Sequence, residues 1–314
     1  MTTRREFLGT MGGCAAHLLW MSAGYGAARR LYAAQPMGRV AWDDPWARVE
    51  ALGPGVWSVI STPLAGPRGS NSWRTVCNGG IIAGRNEVLL LEAFATPEGA
   101  RWLAQTAEKL TGRRPGLALV THFHGDHTGG IPGYVTDPTP LSVRSTATTR
   151  ELLQDKAPLP EARVPEDVPT EVDLGGRTVR LMPRIGHTPS DVTIEVSDPH
   201  VMFCGDLVWN GMFPNYRDAI PSKKVASVKA LLSAGDVPYV PGHGNMATRG
   251  DIERYVTLLD DVEEKARDAI AKGIPLDQAA DVYRLPTGFE QWVMFSPTYF
   301  KVAFQAWGRE LGGK

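Results

Sequence analysis

The apolar positions of this chain fall into two patterns: short unbroken runs bounded by glycine or proline, and longer stretches of helical spacing. Val56, Val59 and Ile60 belong to a run that predicts a first strand over residues 55–60. Residues 79–82 and 87–91 predict two more strands, joined at Gly84-Arg85-Asn86. Residues 117–120 are apolar throughout, the mark of a strand covered on both faces. Further strands are expected over 177–182, 192–196 and 201–203, with a short one ending at Tyr239-Val240. Helical spacing puts Trp102, Leu103, Thr106 and Leu110 on one face of residues 97–110. A helix is also expected over 225–232. The strongest helical pattern runs over 252–270 and is closed by Gly273. Residues 276–310 read as two or three shorter helices.

Strands and helices in mixed order indicate a layered α/β domain. No repeat of 20–50 residues is evident in the 314, and no linker interrupts the chain after residue 50. The expected organisation is one domain over 35–314, of which about 251–314 is a helical extension. Composition is that of a globular protein, with 43% hydrophobic and 21% charged residues. The 34 glycines and 24 prolines fit short elements and many turns. A net charge of -1 offers no basic excess for a phosphate backbone, so no nucleic-acid partner is expected. Three cysteines are too few for a disulfide framework. Cys77 and Cys204 are expected to be free thiols.

Chemistry concentrates in Thr121-His122-Phe123-His124-Gly125-Asp126-His127, directly after the apolar strand 117–120. Residues two apart at a strand end point the same way, so His122 and His124 can grip one ion. Gly125 is expected to let the backbone turn sharply. Asp126 and His127 then reach a second ion beside the first. Three imidazoles and a carboxylate in six residues outline a first-row metal site.

The segment resembles the metallo-β-lactamase superfamily, whose signature is His-x-His-x-Asp-His after a strand. The family's three further ligands are matched in order: His187 in Ile185-Gly186-His187-Thr188-Pro189, Asp206 in Phe203-Cys204-Gly205-Asp206, and His243 in Pro241-Gly242-His243-Gly244. The resemblance runs from about residue 55 to 250. It implies a four-layer αβ/βα sandwich with a C-terminal helical extension, each ligand coming from a loop after a strand. It also implies one metal on His122, His124 and His187, a second on Asp126, His127 and His243, and Asp206 as the bridge. Two Zn2+ suit this set, ahead of Fe or Mn, because His124 stands where iron-binding relatives carry Glu.

The expected activity is metal-assisted hydrolysis of a small carbonyl substrate by a metal-bridging hydroxide, with Asp126 also orienting the nucleophile. A lactone, cyclic amide or other ester is the expected substrate, with weak β-lactam turnover as a side activity. True metallo-β-lactamases carry Cys or Ser at the bridging position, and the cysteine-bearing ones a Lys three residues on. Here these are Asp206 and Trp209. Alternatives are a thioester hydrolase of the hydroxyacylglutathione type, a one-iron persulfide dioxygenase, and a non-catalytic exported metal-binding accessory protein. Trp73, Trp209 and Arg217 are candidates for the substrate pocket. Lys223 and Lys224 are read as surface charges or as carboxylate grips.

The chain opens Thr3-Arg4-Arg5-Glu6-Phe7-Leu8, which resembles a twin-arginine export signal. No charged residue follows from Phe7 to Ala28, and small residues at 26–28 and 33–34 precede candidate cleavage points. Residues 1–34 are therefore expected to be a signal peptide, a permanent anchor being the other reading. The twin-arginine translocase would be a partner during export, and the destination periplasmic.

Overall fold

The computed structural model describes residues 37–44, 47–61, 74–136, 138–154, 156 and 158–312. The signal expected over 1–34 and the pocket candidate Trp73 lie outside these.

Thirteen strands among the described residues form two sheets. The first is eight-stranded, in the order β1 (Arg39–Asp43), β2 (Arg48–Gly53), β3 (Val56–Ile60), β4 (Gly79–Ala83), β5 (Val88–Leu91), β6 (Leu117–Leu119), β7 (Ser142–Thr146) and β8 (Glu161–Val164). Its first five strands pair antiparallel and β5 to β8 pair parallel. The second sheet has the order β13 (Tyr239–His243), β12 (His200–Trp209), β11 (Val192–Ser197), β10 (Thr178–Pro183) and β9 (Thr170–Asp173), and only β12 and β13 run parallel.

Alternation along single strands assigns the layers. In β5, Leu89 and Leu91 face the second sheet, while Val88 and Leu90 face helix α1 (Pro97–Thr111). In β6, Leu117 and Leu119 face inward and Ala118 outward. In β12, Val201 and Phe203 meet the first sheet, while Met202 and Cys204 join the opposite core. That outer core is built by α5 (Pro221–Leu231), α6 (Arg249–Ala271), α7 (Leu276–Val282) and α8 (Tyr299–Leu311). Helices thus cover the outer face of each sheet, and the four expected layers are present. Both faces of the central strands are covered, which is why they read as unbroken apolar runs.

Five strands escaped the sequence pattern. β1 is exposed along most of its length, and β9 alternates half-buried Thr170 and Val172 with exposed Glu171 and Asp173, so neither carries an apolar run. The opposite error occurs at β12, which continues through Asp206 to Trp209 rather than stopping at Phe203, because all of its last nine residues are buried.

After β6 the chain enters a one-turn helix α2 (Gly125–Thr128) and then α3 (Ile131–Val135), and α4 (Ala147–Leu152) follows β7. A Cβ on Gly125 would meet nothing within 4 Å, and its φ is not left-handed, so the expected sharp turn does not depend on it. The glycine that matters is Gly130, where a Cβ would lie 1.8 Å from the Ala93 carbonyl oxygen. Gly130→Ala is therefore expected to lower stability by about 1–3 kcal/mol through overpacking. Gly125→Ala should stay within about 0.5 kcal/mol of the parent. Urea midpoints of the two variants check this, and equal losses would contradict it.

Candidate metal centre

β5 and β6 run parallel, with Leu91 beside Leu119, so the residues that follow each strand emerge together. Glu92 follows β5 in a left-handed conformation, φ 73°, and is almost wholly buried. A non-glycine residue held there signals a local constraint of about 1–3 kcal/mol. The result is a carboxylate under the histidine motif. Glu92 Oε1 accepts from Thr121 Oγ1 at 2.6 Å and lies 3.1 Å from His127 Nδ1. Having given its proton to Glu92, the Thr121 hydroxyl accepts from His122 Nδ1 at 3.0 Å. His122 is thereby set to carry its proton on Nδ1 and present a bare Nε2.

Asp206 and His243 come from the neighbouring parallel strands β12 and β13. Gly205, at φ 52°, re-aims the chain before Asp206. Gly242 makes room for the carboxylate, since a Cβ there would fall 1.9 Å from Asp206 Oδ1. Asn78 ties this edge to the first sheet by donating to the Pro241 and Gly244 carbonyls at 2.9 and 2.8 Å. His187 sits in a turn closed by Asp191, which accepts from Thr188 N at 2.8 Å and Thr188 Oγ1 at 2.7 Å. Asp206 and His243 are thus strand residues, and Asp126 and His127 lie on α2. This corrects the expectation that every candidate ligand sits in a loop after a strand.

The seven expected side chains converge. One group is His122, His124, His187 and Asp206, the other Asp126, His127 and His243, with the donor atoms of each within 4.8 Å of one another. Asp206 spans both. Its Oδ2 is 3.2 Å from His187 Nε2 and 3.8 Å from His122 Nε2, and its Oδ1 is 3.1 Å from His127 Nε2 and 3.4 Å from His243 Nε2. Asp126 Oδ2 lies 3.2 Å from His243 Nε2. Among the described residues, the buried Nε2 atoms of His122, His127 and His243 and Asp206 Oδ1 have no hydrogen-bond partner. Buried polar atoms left in this way call for an ion or a water. An imidazole-rich set with two carboxylates fits a divalent metal.

Electrostatics differ between the two groups. Burial, then the neighbouring imidazoles, pushes the His122 pKa well below its ordinary value. His187 is lowered by burial and by Lys224. Both are therefore neutral donors. Burial also disfavours charge on His243, but Asp206 and Asp126 overcome it and raise the pKa to about 9. Burial opposes ionisation of Asp126 too, yet His127 and His243 hold its pKa well below the usual carboxylate range.

The remaining candidates separate. Trp209 is buried, its ring 4.2 Å from that of His243 and 5.4 Å from that of Phe295, so it walls the cluster on the side of the C-terminal extension. Arg217 is exposed at the rim, beside Asp218. Lys224 is neither a surface charge nor a carboxylate grip. It is fully buried behind His187, its Nζ 3.3 Å from the Asp206 carbonyl oxygen. Cys77 and Cys204 are both free and buried. Cys204 stays outside both donor groups, whereas the Cys77 thiol donates to the Asp126 carbonyl at 3.1 Å. Glu92, Asn78 and Asp218 were missed. The available signal for Glu92 was a lone carboxylate directly after an apolar strand.

The raised His243 pKa carries a pH dependence. In chelated protein, its stabilising contribution is complete below 6.5 and fades as pH rises through about 9. The melting temperature should fall between about pH 7 and about pH 10, and fall less in His243→Gln. A flat profile in the parent would contradict the pairing.

Comparison with known proteins agrees with this geometry. Residues 73–266 match the family described as the metallo-beta-lactamase superfamily. The alpha subunit of 2,4-dinitroanisole O-demethylase from Nocardioides sp. is 26% identical over 64% of this chain and 62% of its own length. A hydroxyacylglutathione hydrolase from Acidiphilium cryptum is 30% identical over 44% of this chain and 54% of its own. The chain thus spans about three fifths or less of the length of these relatives. A solved metallo-beta-lactamase from Pontibacter korlensis superposes with TM-score 0.58 and 20% identity, over 68% of this chain and 99% of the other. The signature residues, the two sheets and these matches agree: the chain belongs to the metallo-beta-lactamase superfamily.

Proposed function

We propose that the protein is an exported hydrolase holding two divalent ions, zinc by preference, that cleaves a small carbonyl substrate. His122, His124 and His187 would hold one ion, Asp126, His127 and His243 the other, and Asp206 both. The observation that carries this reading is the Asp206 carboxylate, which turns one oxygen toward each group of imidazoles. Bound there, such ions supply Lewis acidity and a lowered pKa of water, about 7 for zinc.

The chain's own residues do the rest. Asp126 reaches the open side, its side chain 28% exposed, and is poised to orient an attacking water. Glu92, through Thr121, fixes the ring of His122 and sets a negative charge 3.1 Å from His127 Nδ1. Trp209 and Phe295 exclude water from the His243 side. A one-iron dioxygenase would leave Asp126, His127 and His243 clustered without a role.

Two features favour a lactone, cyclic amide or other ester over a dedicated β-lactam substrate. Trp209 stands three residues after Asp206 and is buried, and Lys224 cannot reach a substrate carboxylate from behind His187. A thioester is the second substrate class, supported by the relative named hydroxyacylglutathione hydrolase. Export to the periplasm rests on Arg4-Arg5 and the uncharged stretch that follows.

Asp206→Ala should reduce bound metal toward one ion per chain and lower hydrolysis by about 10²-fold or more. Elemental analysis and assays with a lactone, a thioester and a chromogenic cephalosporin check this, and unchanged turnover would sink the bridged arrangement. Replacing Arg4 and Arg5 by Lys should hold the protein in the cytoplasm. Normal export of that variant, read by cell fractionation, would remove the twin-arginine assignment.

A further inference from the structure

His124 is the most exposed imidazole of the cluster. Its side chain is 16% accessible, against 0–2% for His122, His127, His187 and His243. The χ2 torsion of histidine is broad and roughly two-fold, so packing alone does not decide which ring nitrogen faces inward. Asp218 decides it. Its Oδ2 accepts from His124 Nε2 at 2.9 Å, which turns Nδ1 toward His187 Nε2 at 3.0 Å. The hydrogen bond from His124, aided by Arg217 and Arg309 nearby, keeps the Asp218 carboxyl below its ordinary pKa.

Asp218 belongs to residues 214–220, which contain neither helix nor strand. The last turn of α8 holds this segment on both sides of Asp218. Arg309 donates to the Arg217 carbonyl at 3.1 Å, and Glu310 accepts from Ser222 N, in the first turn of α5, at 3.1 Å. α8 is a firm base for these contacts, since Ala303, Phe304 and Trp307 on its inner face are essentially inaccessible. All of α8 lies beyond residue 266, where the family match ends.

We infer that the C-terminal helix braces the metal centre from outside: Arg309 and Glu310 are positioning residues that hold Asp218, and Asp218 fixes the tautomer and orientation of His124. The consequence for metal binding rests on the two-ion reading above, and the consequence for the tautomer does not. Carboxylates that orient ligand histidines typically carry 10–100-fold in metal affinity, roughly.

The test uses the full chain with Asp218→Ala, Asp218→Asn, the pair Arg309→Ala and Glu310→Ala, and the triple combination. In metal-free protein at about pH 8, long-range 1H–15N spectra should show the His124 proton on Nε2. Asp218→Ala should lose that preference, and Asp218→Asn, which keeps an acceptor oxygen, should retain it. In zinc competition against a chromogenic chelator, Asp218→Ala should weaken one of two ions by about 10–100-fold. The Arg309 and Glu310 pair should weaken the same ion about fivefold, and add nothing once Asp218 is Ala. An unchanged tautomer in Asp218→Ala, or additive losses in the triple variant, would overturn the inference. If the parent binds no zinc, the two-ion reading fails, and the tautomer alone decides whether Asp218 orients His124.

Discussion

The structure depends on one buried carboxylate. Asp206 is 2% exposed, and it meets four imidazole nitrogens while leaving one oxygen unpaired among the described residues. Such a group is tolerable in an interior only if positive charge stands beside it. The protonation pattern reflects this. Burial opposes charge on His127 and His243, but Cys77 and the carboxylates around His127, and Asp206 and Asp126 beside His243, pull both toward the charged form. Burial, reinforced by neighbouring imidazoles and Lys224, outweighs Asp206 at His122 and His187 and pushes both toward neutrality. A divalent ion in each group would replace these imidazolium protons, and the same carboxylate would then serve both ions.

The fold supplies what that carboxylate needs. Two parallel pairs, β5 with β6 and β12 with β13, bring their C-terminal ends to one edge of the sandwich. Backbone space is then made at single residues. Gly242 admits the carboxylate, Gly205 aims it, and the left-handed Glu92 delivers a supporting charge from below. Strain at Glu92 and the neighbouring Phe94, φ 61°, is thus concentrated where the site is built. The helical extension adds Phe295 against Trp209 and the contacts of Arg309 and Glu310. It completes the rim of the site as well as covering the second sheet.

The candidate cluster was legible because metal ligation demands particular residue types at particular spacings, and His122, His124, Asp126 and His127 lie within six positions. The central strands were legible because both faces are buried, which leaves unbroken apolar runs such as Leu117–Leu119. Edge strands such as β1 and β9 were not, since one solvated face erases the run. The supporting residues were also hidden. Glu92 acts on residues about 30 positions away, and Asp218 on one about 90 away, so no local pattern joins them. Lys224 misled for the same reason. Its burial follows from the packing of α5 against the His187 turn, where Gly186 lies against the Lys224 backbone.

Anomalous diffraction from crystals of the zinc-loaded protein tests the central claim most directly. The account predicts two zinc peaks about 3.5–4 Å apart, one on each side of the Asp206 carboxylate. A single peak held by His122, His124 and His187, with Asp206 turned away, would contradict it.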